Sequence, residues 1–309
     1  MSDLPDELLI YILSFLPTKQ AFTMAILSKR WTTLCYSLLV IDLSYKTITR
    51  CFRRFVNNLM LSPVSTNQPL KKFCLTCDRR YHKKNSIFNV TNWLEAAKKR
   101  HIEEIHLTLP FHTLKSVIFV SKTLVVLKLE DLVVGKNTSC VNLPSLKTLN
   151  LTSVSFQNWN DYGNFLYACP ILEDLHAEPI YFMGHDQNNA SEEGLKSLTL
   201  PKLVRASIGI RDVVVNGIDN VKFLRVDMDY RKALSWKAIP LFQNLISIEL
   251  LFPSYPYICW DGVVELLRYC PKLQILFIKK VFLFACFFLS IYFEKCYLID
   301  HYGVMRSML

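Results

Sequence analysis

The sequence predicts an α/β protein: three short N-terminal helices, then an irregular solenoid whose repeats each lay one strand of a parallel, horseshoe-like sheet. Three observations predict it. Apolar residues make up 51% of the 309, enough for a large core and against global disorder. The first 45 residues place apolar side chains at helical spacing between proline and serine stops. From residue 102 a six-residue apolar pattern, Φ-x-x-Φ-x-Φ, returns at intervals of 22 to 28.

The first helix is predicted over residues 4–16. Pro5 suits a first turn, where its missing N–H is not needed. Asp6 and Glu7 sit at the positive end of the helix dipole, and Pro17 stops the helix. Thr18 is predicted to cap a second helix to Leu27, and Ser28 a third to about Leu39. Apolar residues nearly encircle the first helix, so a partner or the rest of the chain must cover some of them. Periodicity alone leaves both options open.

The specific residues decide between them. Leu4-Pro5-Asp6-Glu7-Leu8-Leu9, then Ile12-Leu13-Ser14-Phe15-Leu16-Pro17-Thr18-Lys19, then Leu27-Ser28-Lys29-Arg30-Trp31 resemble the F-box without a gap. The resemblance implies a three-helix F-box over residues 1–45 that docks on an SKP-type adaptor. It assigns adaptor contact to Leu4, Pro5, Leu8, Ile12, Leu16, Pro17, Leu27 and Trp31. An apolar helix face with an aromatic anchor is what a hydrophobic docking core uses.

Residues 46–101 read as a basic connector leading into the repeats. The chain's net charge is +10, yet this stretch alone holds thirteen basic and two acidic side chains. Residues 1–45 and 102–309 are close to balanced. The connector can be a solvated face, an anion-binding patch, or an import signal in Lys71-Lys72, Arg79-Arg80 and Lys83-Lys84. Cys74-Leu75-Thr76-Cys77 lacks the second ligand pair of a zinc site and reads as two strand-flanking cysteines.

The repeats are assigned to 102–280. Their copies are Ile102-Ile105-Leu107, Leu124-Leu127-Leu129, Leu146-Leu149-Leu151, Leu172-Leu175-Ala177, Leu195-Leu198-Leu200, Val221-Leu224-Val226, Leu245-Ile248-Leu250 and Leu273-Leu276-Ile278. The spacing is that of leucine-rich repeats. Leu203-x-x-Ala206-x-Ile208 comes only 8 residues after Leu195 and reads as an irregular copy. One repeat cannot bury its apolar side alone; stacked neighbours can. Gly163 to Tyr167 and Val263 to Tyr269 read as outer helices, ended by Cys169-Pro170 and Cys270-Pro271.

Alternation puts the remaining strand positions on the open face. Glu104, His106, Lys128, Glu130, Thr148, Asn150, Asp174, His176, Arg225, Asp227 and Glu249 are the candidate target-facing residues. Their mixed signs suit a protein better than a phosphate track.

Trp93-Leu94-Glu95-Ala96-Ala97, Leu143-Pro144-Ser145-Leu146-Lys147-Thr148-Leu149 and Cys169-Pro170-Ile171-Leu172-Glu173-Asp174-Leu175 resemble the plant F-box family with irregular leucine-rich repeats, often ending in an FBD segment. The likeness stops at Lys280. The tail, 281–309, is apolar from Val281 to Phe293 except for Ser290, too short for a membrane helix. A buried terminal element, a translated intron and a membrane-associated helix compete for it.

The resemblance implies the substrate-recognition subunit of an SCF-type cullin-RING ubiquitin ligase. It reaches cullin and RING subunits through the adaptor and holds an unknown target protein on the repeats. No catalytic residue, metal or cofactor is expected: the eight glycines form no nucleotide loop, and neither H-E-x-x-H nor G-x-S-x-G occurs. The acidic start is no signal peptide, and the scattered cysteines suit reduced thiols, so a nuclear or cytoplasmic location is expected. No membrane partner is expected. A nucleic-acid binder acting through the connector, or an F-box product without a target, is the alternative.

Overall fold

The computed structural model describes residues 4–45, 50–66, 68–78, 90–184, 199–209, 217–228, 240–253, 260–281, 296–299 and 305–308. The chain runs α1 (Asp6–Ser14), α2 (Thr18–Thr23), α3 (Lys29–Tyr36), β1 (Val40–Tyr45), α4 (Arg50–Leu61), α5 (Pro63–Thr66), β2 (Lys72–Cys77) and α6 (Val90–Lys99). It continues with β3 (Glu104–Leu114), β4 (Val126–Val134), β5 (Thr148–Thr152), β6 (Val154–Phe156), α7 (Trp159–Tyr167), β7 (Asp174–Ala177) and β8 (Ile180–Phe182). The last elements are β9 (Arg205–Gly209), β10 (Phe223–Asp227), β11 (Ser247–Pro253), α8 (Trp260–Arg268), β12 (Ile275–Val281), β13 (Cys296–Ile299) and β14 (Met305–Met308). Two compact units result: Met1–Leu146 with Ser153–Gln157, and Lys147–Thr152 with Asn158–Leu309.

In the first unit, β1, β2, β3 and β4 pair side by side and parallel, with β6 joined to β4. The ladder starts earlier than the periodicity places it. Leu38, Ile41 and Leu43, then Leu70, Phe73 and Leu75, carry the same six-residue pattern and are buried like the later leucines. So part of the basic connector is itself repeat: β2 crosses it, flanked by helices. α4 buries Phe52, Val56, Leu59 and Met60, and α6 buries Trp93, Leu94 and Ala97. The Trp93 indole N–H donates to Asn57 Oδ1 at 2.7 Å, tying the two helices together.

The strands turn by a shared device. Phe111, Asp131 and Ser153 hold left-handed backbone at φ 58, 57 and 54. In β3 and β4 that residue falls within the strand; Ser153 separates β5 from β6. The β3–β4 register shifts between Thr108 and His112, so two residues extra on one strand are absorbed as a bulge. Gly135 closes this unit's turn: a Cβ there would lie 2.8 Å from the Leu114 carbonyl oxygen, which accepts the Gly135 N–H.

In the second unit, β5, β7, β9, β10, β11 and β12 form the parallel ladder. Here the sequence reading is corrected. β7 pairs directly with β9, Asp174 opposite Arg205, so Leu203-Ala206-Ile208 supplies the strand between the 172 and 221 copies. Leu195 and Leu198 lie outside the described residues; Leu200 is buried. α7 and α8 begin a few residues before their predicted starts. The Asn158 side chain caps α7 by accepting the Asp161 N–H at 2.8 Å. Cys169 and Cys270 are buried, their thiols donating to the carbonyls of Phe165 and Leu266. Of the apolar tail run only Val281 is described, closing β12; β13 and β14 pair antiparallel further on. Among the described residues, no helix is long and apolar enough to cross a membrane.

Candidate functional site

The N-terminal helices pack around Leu9, Leu13, Ala21, Leu34, Cys35 and Leu38, with Leu16, Phe22 and Trp31 partly buried against them. Ser28 caps α3, its Oγ 3.5 Å from the Trp31 nitrogen. Thr18 opens α2 but does not cap it. Its hydroxyl accepts the Asp42 N–H at 2.8 Å, fastening α2 to β1. α3 ends at Tyr36, short of the predicted Leu39, because Leu38 already belongs to the first repeat. Arg30 donates to Asp6 Oδ1 at 2.9 and 2.6 Å and to the Leu4 carbonyl at 2.6 Å, clamping the start of α1 onto α3.

This packing splits α1 into two apolar faces. Leu9 and Leu13 are buried. Leu8, Tyr11, Ile12 and Phe15, at i, i+3, i+4 and i+7, form a second stripe, about a third of a turn away. Leu8 is 49% exposed, Ile12 48% and Phe15 70%. The Tyr11 and Phe15 rings meet edge to face at 4.9 Å. Ile26 and Leu27, in the turn before α3, are 87% and 61% exposed.

Of the residues assigned to adaptor contact, Leu4, Pro5, Leu8, Ile12, Pro17 and Leu27 are exposed; Leu16 and Trp31 are half-buried against the helix core. Tyr11, Phe15 and Ile26 were not in that set. For Tyr11 and Phe15 the stripe position was the available signal, hidden because apolar residues surround the helix; Ile26, in the turn before α3, has no such periodic signal.

The target-facing candidates all fall on strands and alternate with the buried leucines. In the first unit Asp42, Cys74, His106 and Lys128 stand in one register row across β1 to β4. Lys72 pairs with Glu104 at 3.4 Å, and the Thr108 hydroxyl donates to Glu130 Oε2 at 2.9 Å. In the second unit Asn150, His176, Ser207, Arg225 and Glu249 form a row. Thr148 and Asp174 stand opposite each other. Asp174 makes a two-pronged ion pair with Arg205, and Lys279 meets Glu249 at 2.8 Å. Asp227 follows Arg225 on the same strand face.

Burial lowers the pKa of His106, helped by Lys72 and Lys128, and of His176, helped by Arg225. Both imidazoles are therefore neutral near pH 7. Glu178 is pushed up by burial, then by Asp227 and Glu249, against the Ser207 hydroxyl that donates to it at 2.9 Å.

The C-x-x-C of β2 divides across the strand. Cys77 shares the buried side of Phe73 and Leu75; Cys74 points the other way, beside His106. Burial raises their thiols to about 12 and about 11. Among the described residues, no cluster of three or more His, Cys, Asp or Glu could hold a metal. The connector's charge is scattered. Lys72 and Lys98 pair with Glu104 and Glu95, and Arg54, Lys71 and Lys99 are exposed on separate elements. Arg100 is buried, its Nε donating to the Gln68 carbonyl at 2.8 Å. Lys46, Arg79, Arg80, Lys83 and Lys84 lie outside the described residues.

Comparison with known proteins adds a family to this geometry. The F-box domain matches residues 1–43. F-box/LRR-repeat protein At3g59200 of Arabidopsis thaliana is 28% identical, over 91% of this chain and 69% of its own length. FBD-associated F-box protein At5g38590 of the same plant is 30% identical, over 86% of this chain and 63% of its own length. F-box/LRR-repeat protein At4g14103 is 27% identical, over 89% and 90%.

Proposed function

We infer that this chain, which carries an F-box domain and is related over most of its length to plant F-box/LRR-repeat proteins, is the substrate receptor of an SCF-type cullin-RING ubiquitin ligase. An F-box implies an SKP-type adaptor as partner, and F-box/LRR proteins are in general non-catalytic adaptors. The observation that carries the reading is the second apolar stripe of α1. Leu8, Tyr11, Ile12 and Phe15 stay open after the helix has already buried Leu9 and Leu13 in its own core. An apolar stripe left open beside a filled core suits a partner's groove.

The mechanism is positioning. Through the adaptor the chain reaches cullin and RING subunits, and the open strand face holds a target protein. Holding target and ubiquitin-loaded enzyme on one scaffold raises their effective concentration, so no side chain here need do chemistry. Glu104, His106, Lys128, Glu130, Asn150, Asp174, His176, Arg225, Asp227 and Glu249 are the residues proposed to meet the target. The working compartment is the nucleus, the cytoplasm or both.

Co-purification with an SKP-type adaptor tests the reading. Wild type should retain the adaptor, and a Leu8→Asp, Ile12→Asp double variant should lose it while keeping its helical circular dichroism. Equal retention by both would sink the assignment.

A further inference from the structure

The second unit has a feature that the adaptor and the strand face leave unused. Just ahead of β10, β11 and β12 the connecting turns enclose a shallow groove of about 440 Å³. Lys222, Lys272, Asn244, Gln274, Ile246 and Leu273 line it, with Pro271. No carboxylate lines it. Among the described residues neither lysine forms an ion pair, unlike Lys147, which meets Glu173 at 2.9 Å, and Lys279, which meets Glu249. The backbone beneath is fixed. The Lys222 carbonyl accepts the N–H groups of Ile246 and Ser247 at 2.9 and 3.1 Å, and the Ile246 carbonyl those of Gln274 and Ile275 at 2.9 and 3.0 Å.

We propose that this groove binds an acidic peptide segment, its carboxylates held by Lys222 and Lys272. Charge complementarity sets the sign of the occupant: two unpaired cations and no acid. The size sets its scale, since clefts of ~300–1,000 Å³ take small ligands or short segments, not folded domains. The lining sets its class. Amide-bearing Asn244 and Gln274 suit a peptide backbone and Ile246 and Leu273 suit aliphatic stems, while no aromatic residue lines the groove for bases to stack on. The inference gives the target-binding reading a chemical class and rests on it for its biological meaning.

Fluorescence anisotropy with a labelled hexaglutamate peptide and the full chain provides the test. An exposed lysine–carboxylate contact contributes roughly two- to fivefold to affinity. Reversing both charges, Lys222→Glu with Lys272→Glu, should therefore weaken binding about tenfold or more. Lys202→Glu, an exposed lysine in the turn ahead of β9 and not in the groove, should stay within about twofold of wild type. Equal affinity of the double variant, or an equal loss with Lys202→Glu, overturns the proposal. So does hexathymidylate displacing the peptide at matched concentration, which would hand the groove to nucleic acid. Adaptor co-purification and target capture on the same variants separate the two readings. Lost peptide discrimination with intact target capture removes the groove alone. Intact discrimination in a chain that captures no target removes the receptor reading and leaves the groove.

Discussion

Phe73→Ala tests whether the basic stretch is a tether or part of the sheet. Phe73 is fully buried on β2, which is hydrogen-bonded on both sides, to β1 and to β3. Truncating a buried Phe to Ala costs about 3–5 kcal/mol, transfer and cavity terms together. A domain has only ~5–15 kcal/mol of stability, so the variant should lose about a fifth of it or more. At about 2–4 °C per kcal/mol for a unit of this size, the melting temperature should fall by roughly 6–20 °C. Lys71→Ala, two residues away and exposed, should change stability by less than about 0.5 kcal/mol. Urea titration followed by circular dichroism measures both. If Phe73→Ala unfolds at the wild-type midpoint, β2 contributes nothing to the core, and the ladder assigned to Val40–Tyr45 and Lys72–Cys77 is wrong.

Two further outcomes follow from the titration behaviour of buried groups. Native-state alkylation at pH 8, read by peptide mass spectrometry, should label the exposed Cys51 and Cys140 well before Cys74, Cys77, Cys169 and Cys270, whose thiols burial holds at about 11 to 12. Equal labelling rates would contradict the burial. Glu178 has a folded pKa above its unfolded one, so the folded state binds its proton more tightly and stability falls as pH rises through that window. Glu178→Gln should therefore stabilise the protein at pH 7, with the gain shrinking towards pH 4; a gain that grows on acidification would reverse the sign.

How far the sequence could be read depended on what each pattern leaves undetermined. Helical spacing identified α1 but could not divide its apolar residues, because they occupy nearly every side. Only packing shows that Leu9 and Leu13 are spent internally and that Tyr11 and Phe15 are not. The six-residue repeat pattern is local, whereas membership of a sheet is decided by pairing. Leu195-Leu198-Leu200 and Leu203-Ala206-Ile208 both satisfy it, and β7 and β10 select the second. Leu38-Ile41-Leu43 and Leu70-Phe73-Leu75 satisfy it too. They begin 32 residues apart, beyond the usual repeat spacing, because helices α4 and α5 fill the interval. Positive charge dominates the composition of that stretch, while its apolar positions carry the fold. The outward strand residues were legible from alternation alone, since a period of two leaves no choice of face.

The F-box match ends at residue 43, and β1 runs from Val40 to Tyr45. The segment shared among many proteins therefore stops partway along a strand. What is inherited as a module is not what folds as one. Ile41 and Leu43 are buried in a ladder whose next strand arrives only at Lys72, and Phe22 of α2 lays its ring edge-to-face against Phe55 of α4 at 5.3 Å. A chain cut at the edge of the family match would present an unpaired strand edge and a half-covered aromatic. The strand that pairs with β1 is β2, so the contacts of the N-terminal helices and β1 extend at least through Cys77. The N-terminal helices and the first strands thus fall in one compact unit, joined by the Thr18–Asp42 hydrogen bond and the Phe22–Phe55 ring contact.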